Sequence, residues 1–437
     1  MIEGDLGFLF AKGSNSKMNS RFKLFVVTSS SCLVVLLMFG AAMGRSASPE
    51  DAYKHLAVYT EVLSRIKSDY VEEPDMKNVT LGALNGLLES LDPYASYLNA
   101  DQYKQYLKYR DNRKADVGLI LSKKYGYLNV VDAVPNSPAA KAGLSTGDVL
   151  EAIGAVSTRD MPLAYAEMLL HGDAGTSVEL TVLRVRRSTE PQKVGLVRAV
   201  TKFAPVTAKM EQDQIGRIAL SSVEPGKAKE VAAAVKDLEK QGAKKIILDV
   251  RNAASGTPEE GIALANLFLE KGLIGYLVGQ KSPRQDFEAA ASKAIWKGPL
   301  AVITNRGTAN GAEVAAAALL DSKRGEVIGE RTYGDAAVRK AILMDDGGAV
   351  ILSTAKYYSP SGKALQDTGV TPSVPLVESE PVGDPDDETP QPEQPAQPQP
   401  QVKTGEDVLL KKAIEVLNAG KPVAREFTPR VRVAVGA

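Results

Sequence analysis

The chain has 437 residues, with 53 basic and 53 acidic side chains. That length holds two or three domains with real cores, and the balanced charge gives no bulk argument for nucleic-acid or membrane-surface binding. A single cysteine, Cys32, excludes disulfides within the chain and cysteine metal clusters; two histidines, His55 and His171, leave little for a zinc site or a histidine triad, so no metal or cofactor is expected.

Residues 1–17 show no pattern, and Met18 is a second candidate start. Arg21 and Lys23 precede an uncharged run over residues 24–44, whose most apolar part, 32–43, has the length of a signal-peptide core. Ala42-Met43-Gly44 suits signal peptidase, while the whole run is long enough to span a membrane. Residues 1–48 are therefore expected to be a cytoplasmic stub plus a signal peptide or membrane anchor. The positive flank then places everything downstream outside the cytoplasm, in the cell envelope. Cys32 lies inside the apolar run rather than at its end, which argues against a lipid-modified cysteine.

Residues 49–115 read as a helical region. Leu56, Tyr59, Leu63, Ile66 and Tyr70 step by three and four, as do Leu81, Leu84, Leu88 and Leu91. His55 reads as an ordinary helical residue.

Residues 116–200 carry Val134-Pro135-Asn136-Ser137-Pro138-Ala139 and Ala142-Gly143-Leu144-Ser145-Thr146-Gly147-Asp148-Val149-Leu150, then His171-Gly172-Asp173-Ala174-Gly175-Thr176. These motifs resemble a PDZ domain of the circularly arranged bacterial type, β-rich with two helices. The resemblance makes Val117, Gly118, Leu119 and Ile120 the loop and strand edge that hold a peptide's terminal carboxylate by backbone N–H groups and β-augmentation. Residues 162–170 are expected to be the helix lining that groove. The alternative is a PDZ domain that packs without binding peptide.

Residues 201–377 alternate strand and helix, with strands at 217–220, 245–250 and 273–277 and helices at 225–240 and 259–269. This predicts a parallel sheet with right-handed crossovers. Leu300, Val302 and Ile303 read as a further buried strand, Gly307 permits a turn, and residues 309–320 form an alanine-rich helix. Such a strand–turn–helix junction is where α/β enzymes place their chemistry.

The segment Thr308-Ala309-Asn310-Gly311-Ala312-Glu313 resembles the active-site turn of the C-terminal processing peptidases, tail-specific serine peptidases with a Ser–Lys dyad. Supporting motifs are Asp92-Pro93-Tyr94-Ala95-Ser96-Tyr97, Gly329-Glu330-Arg331-Thr332-Tyr333-Gly334-Asp335, Tyr357-Tyr358-Ser359-Pro360-Ser361-Gly362 and Gly369-Val370-Thr371-Pro372. The resemblance implies an α/β multidomain chain with a crotonase/Clp-like peptidase body. It also places the nucleophile at Asn310, the base lysine at Asp335 and its supporting glutamine at Arg339. None of the three is the family's residue. The oxyanion loop maps onto Ala253-Ala254-Ser255-Gly256, where the proline and first glycine of the family pattern are missing and Ser255 and Gly256 are the remaining equivalents. The chain therefore reads as a pseudo-peptidase that binds peptide or protein C-termini or regulates proteolysis in the envelope. An active paralogous peptidase is a further partner class, and the N-terminal helix is the membrane contact.

The competing expectation is an active serine-type endopeptidase with a relocated nucleophile, Thr308 or Ser255, served by Lys323, Lys340 or Lys363. Against it, Thr308 reads as a helix cap and Ser255 as a loop residue bonded to backbone. The complementary charges of Asp335 and Arg339 predict an ion pair across the former site, with Asn310 as a hydrogen-bond partner. Residues 378–406, rich in Pro, Gln and acidic groups, read as a disordered linker, and 407–437 as a last amphipathic helix plus a tail.

Overall fold

The computed structural model describes residues 49–111, 115–124, 126–159, 161–184, 190–377 and 407–419. The expected signal or anchor segment, the acidic Pro-rich linker and the tail after the last helix lie outside the described residues, as does the side chain of His55. Among the described residues no helix is long and apolar enough to cross a membrane.

The chain divides into two units, the first ending at Val79 and the second beginning at Thr80. The first contains the helix Pro49–Asp69, whose Leu56, Val58, Tyr59 and Val62 are all exposed. Its periodicity is helical as expected, yet among the described residues of the unit its apolar stripe joins no buried core.

In the second unit, six antiparallel strands form the PDZ sheet: five run in the order Leu119–Lys124, Tyr127–Ala133, Val149–Ile153, Ser177–Leu183, Gln192–Val197, and Val156–Ser157 pairs back on Val149–Ile153. Period-2 alternation puts Val178, Leu180 and Val182 inward against Leu128 and Leu150 of other strands in the sheet and Ala166 of the groove helix Leu163–Leu170. The second helix, Pro138–Lys141, starts at Ser137, whose hydroxyl accepts from the Ala140 N–H at 3.1 Å. The domain's two ends are tied by reciprocal bonds between Asp116 and Ala199, at 3.0 and 2.9 Å.

The body is built on a six-stranded sheet ordered Val374–Pro375, Glu326–Gly329, Leu300–Thr304, Lys245–Asp249, Ile215–Ala219, Thr207–Met210. All its pairings are parallel except the last. Alternation divides its core. Ile246, Leu248 and Val302 meet the helices Lys227–Lys240, Pro258–Asn266 and Gly311–Asp321 on one face. Ile247, Ala301 and Ile303 meet Leu409, Ala413 and Ile414 of the helix Val408–Ala419 on the other. Leu300–Thr304 is buried on both faces, as a central parallel strand requires.

One expected strand sits elsewhere. Leu273–Gly279 leaves the parallel sheet and pairs antiparallel with Ser282–Glu288 and Ala349–Tyr358, in a second sheet that also takes Ala337–Leu343 and Ser96–Leu98. The reason is the connection: Gly279 pairs with Ser282 across Gln280 and Lys281, and a turn that short joins only antiparallel neighbours.

Candidate functional site

The strand Leu300–Thr304 leads into the junction, and its turn is wired by polar side chains. Asn305 Oδ1 accepts from the Gly307 N–H at 3.1 Å and from the Asn252 N–H at 3.0 Å. Thr308 is fully buried; its hydroxyl donates to Val250 O at 2.9 Å and accepts from the Asn305 N–H at 3.1 Å. It braces the turn rather than capping the helix, which is where the structure departs from the sequence expectation. Asn310 then adopts φ 54° and ψ −124°, a strained conformation, and the helix Gly311–Asp321 starts at the next residue. The junction therefore keeps the sharp elbow that presents a side chain above a sheet, with asparagine at its apex. Gly311 is obligatory here: a Cβ would lie 2.2 Å from the Thr257 carbonyl oxygen.

Glu313 ties the elbow to the turn that carries the lysine position. Its carboxylate is wholly buried and accepts from the N–H groups of Asn310 (3.1 Å), Gly334 (2.6 Å) and Asp335 (2.8 Å), and from the Thr332 hydroxyl. Burial pushes its pKa up to about 7 against the opposing pull of these hydrogen bonds. Thr332 in turn accepts from the Val370 N–H at 2.7 Å, which links the motif Gly369-Val370-Thr371-Pro372 to the same knot.

Asp335 and Arg339 form the expected ion pair, with 19% and 26% of their side chains exposed. The guanidinium stacks over the Tyr94 ring, 3.6 Å from its centroid. The Asn310 side chain makes no hydrogen bond to the pair. The two positions are connected instead through their backbone N–H groups, which both donate to Glu313 Oε2. The carboxylate outcompetes an amide side chain because bonds to a charged acceptor are stronger.

The relocated-nucleophile candidates are also placed. Ser255 donates to Glu224 Oε1 at 2.5 Å, a side-chain contact rather than the expected backbone bond. Lys323, Lys340 and Lys363 make no hydrogen bond to Thr308 or Ser255. Ser255 and Gly256 pair in parallel with Ser222 and Val223. Gly256 has φ 131°, and a Cβ there would lie 2.2 Å from the Val223 carbonyl group, so this glycine is fixed by a close backbone approach.

The PDZ domain covers the elbow. Val131 packs with Ala254 and Ala309, flanked by Ile120 and Tyr333, and the Tyr333 hydroxyl donates to Ser122 on the groove strand. Within the expected peptide loop, Val117 is buried, Leu119 and Ile120 are half-buried, and Leu119–Lys124 is an edge strand of its sheet. Gly118 has φ 74°, and a Cβ would sit 2.1 Å from Ser137 Cβ. Its N–H donates to Asp116 Oδ1 at 2.8 Å. The Thr201 hydroxyl donates to the same oxygen, and His171 Nε2 lies 3.5 Å from Asp116 Oδ2. Burial raises the Asp116 pKa, but the bonds from His171, Thr201 and the Gly118 N–H outweigh it and hold the carboxyl below its usual range.

Sequence reasoning missed Glu313, Tyr94 and Asp116. Asn310 followed three residues later by Glu313 is a capping-box spacing that went unread; it signals the bond from the Asn310 N–H, but not those from Gly334 and Asp335. Asp116 two residues before Gly118 is a legible side-chain-to-backbone turn pattern that went unread.

Comparisons with known proteins agree with this geometry. Peptidase family S41 matches residues 214–376, and the PDZ domain matches residues 130–184. The carboxy-terminal-processing protease of Bartonella bacilliformis is 31% identical over 333 residues, which are 74% of this chain and 76% of that protein. The carboxy-terminal processing protease CtpA of Bacillus subtilis is 32% identical over 311 residues, 71% of this chain and 66% of that protein. Among solved structures, the photosystem II D1 C-terminal processing protease superposes with a TM-score of 0.61 at 25% identity, covering 74% of this chain and 92% of that one. With this likeness spanning PDZ domain and body alike, the chain belongs to the carboxy-terminal-processing proteases of peptidase family S41.

Proposed function

We propose that this chain is a non-catalytic member of its family, exported to the cell envelope, that binds peptide or protein C-termini through its PDZ groove. The observation that carries the reading is the elbow: its strained backbone is kept while its apex is Asn310 and the base position is Asp335, paired with Arg339. An amide is no nucleophile for acyl transfer, and a carboxylate held by an arginine is no substitute for a neutral lysine. The covering PDZ strands and the edge position of Leu119–Lys124 favour recognition of polypeptide by strand addition. Regulation of an active paralogous peptidase is one outlet for such a scaffold. The test is labelling of the purified chain with a fluorophosphonate probe: no label is expected, and label abolished by one serine or threonine substitution would overturn the reading.

A second reading has one observation in its favour. Ser255 is a hydroxyl facing a carboxylate, Glu224, close to the elbow. If it were a relocated nucleophile, the probe would attach there and Ser255→Ala would abolish labelling.

Export and tethering rest on the basic residues before the apolar run at 24–44. A reporter enzyme that works only outside the cytoplasm, fused after Ala437, is expected to be active; signal from a cytoplasm-restricted reporter would contradict the topology.

A further inference from the structure

The PDZ groove binds a C-terminus by giving the terminal carboxylate a loop of free backbone N–H groups at the start of the edge strand. In this chain that loop already holds a carboxylate, its own. Asp116 Oδ1 takes the Gly118 N–H at 2.8 Å. The Asp116 backbone is fixed by its two bonds to Ala199, and its side chain by the Thr201 hydroxyl and by His171. His171 is itself anchored at the end of the groove helix, with Nδ1 2.7 Å from the Glu167 carbonyl oxygen. With Nδ1–H donating to that carbonyl, Nε2 meets the Asp116 carboxylate across the carboxylate end of the groove. Arg198, the neighbouring cation, is spent on the Leu169 and Leu170 carbonyls at 2.8 and 2.9 Å. Its remaining donors are engaged by the Thr176 hydroxyl and the Ser177 carbonyl at 3.0 and 3.1 Å.

From this geometry we infer that Asp116 is a specificity-determining residue of the peptide groove: it occupies the carboxylate socket, so a free C-terminus binds only by displacing it. A peptide α-carboxylate entering the socket finds the Gly118 N–H taken and must displace the Asp116 carboxylate from it. A segment without a terminal charge, pairing along Leu119–Lys124, meets no such penalty. The inference rests on the reading that the groove binds polypeptide. It adds that a C-terminus enters by displacing Asp116 from the Gly118 N–H.

The experiment measures fluorescence anisotropy of two labelled peptides, both ending in Leu-Ala-Ala, one with a free carboxylate and one amidated, against the full chain. Wild-type protein is expected to bind both weakly with less than about threefold preference for the acid. D116A frees the Gly118 N–H and removes the charge, and is expected to tighten binding of the free acid by about tenfold or more, ~1.4 kcal/mol, while leaving the amide unchanged. D116N keeps the Oδ1 acceptor for the Gly118 N–H and the Thr201 hydroxyl and gives up only the acceptor that faces His171, so it carries the test if D116A does not fold; a smaller gain for the acid alone is expected. A wild-type preference for the acid above tenfold, or binding by either variant with unchanged acid-to-amide preference, overturns the inference and leaves peptide binding intact. Absence of binding by either peptide to every variant overturns both, since Asp116 would then guard no binding site.

Discussion

Replacing Arg339 with alanine removes the partner of Asp335 and the cation stacked on Tyr94. Breaking a buried ion pair on one side costs about 3–5 kcal/mol, and losing an exposed one about 1 or less. With 26% and 19% of the two side chains exposed, the pair lies between these limits. The cost is about 2–3 kcal/mol, of which the ring contact supplies ~1. In a body of this size that lowers the Tm by on the order of 5 °C. The double change Asp335→Lys with Arg339→Gln leaves no orphaned carboxylate and is expected to be milder than Arg339→Ala alone. Scanning calorimetry of wild type and both variants decides it. Arg339→Ala within about 0.5 kcal/mol of wild type would refute the idea that the pair fills and stabilises the former site.

The pH response follows from two buried carboxyls, Glu313 and Asp132, whose pKa values burial raises to about 7. The folded state holds protons that the unfolded chain releases near pH 4, so the stability they contribute is present at low pH and is lost as pH rises through about 7. Tm is expected to fall between about pH 5 and pH 8, and Glu313→Gln should flatten that slope; a Tm rising over the same interval would contradict the assignment. Gly118→Ala, with a Cβ 2.1 Å from Ser137 Cβ, and Gly256→Ala, 2.2 Å from Val223, should each cost at least about 2 kcal/mol in urea unfolding. The triple reversion Asn310→Ser, Asp335→Lys, Arg339→Gln should give little casein digestion, because the loop at Ala253 to Gly256 still lacks the family's oxyanion pattern. Digestion comparable to an active relative would show that the three side chains alone were missing.

Much of the architecture was legible because burial imposes simple periods. The run Lys245–Asp249 and the helical apolar period in Val408–Ala419 announce a buried strand and an amphipathic helix, though not that the helix covers the strand's sheet. The elbow was legible from its small residues, and Asp335–Arg339 from complementary charge four residues apart. The membership of Leu273–Gly279 was not, because periodicity marks a strand without naming its partner. The hairpin from Ala337 to Tyr358 had a turn signal in Asp345-Asp346-Gly347-Gly348 that the reading passed over. Tyr94 reaches Arg339 across the fold, and no local pattern encodes so distant a contact. The bonds from Gly334 and Asp335 to Glu313 become recognisable only once a turn distant in sequence points its N–H groups at that carboxylate.

The central claim is that the elbow no longer performs acyl transfer. Its most direct test is digestion of an unfolded protein substrate such as casein by the purified full-length chain, run beside an active relative, with Asn310→Ala as control. No cleavage above buffer is expected from wild type or variant. Cleavage by the wild type that survives Asn310→Ala would contradict the account and move the search to Ser255 and Glu224.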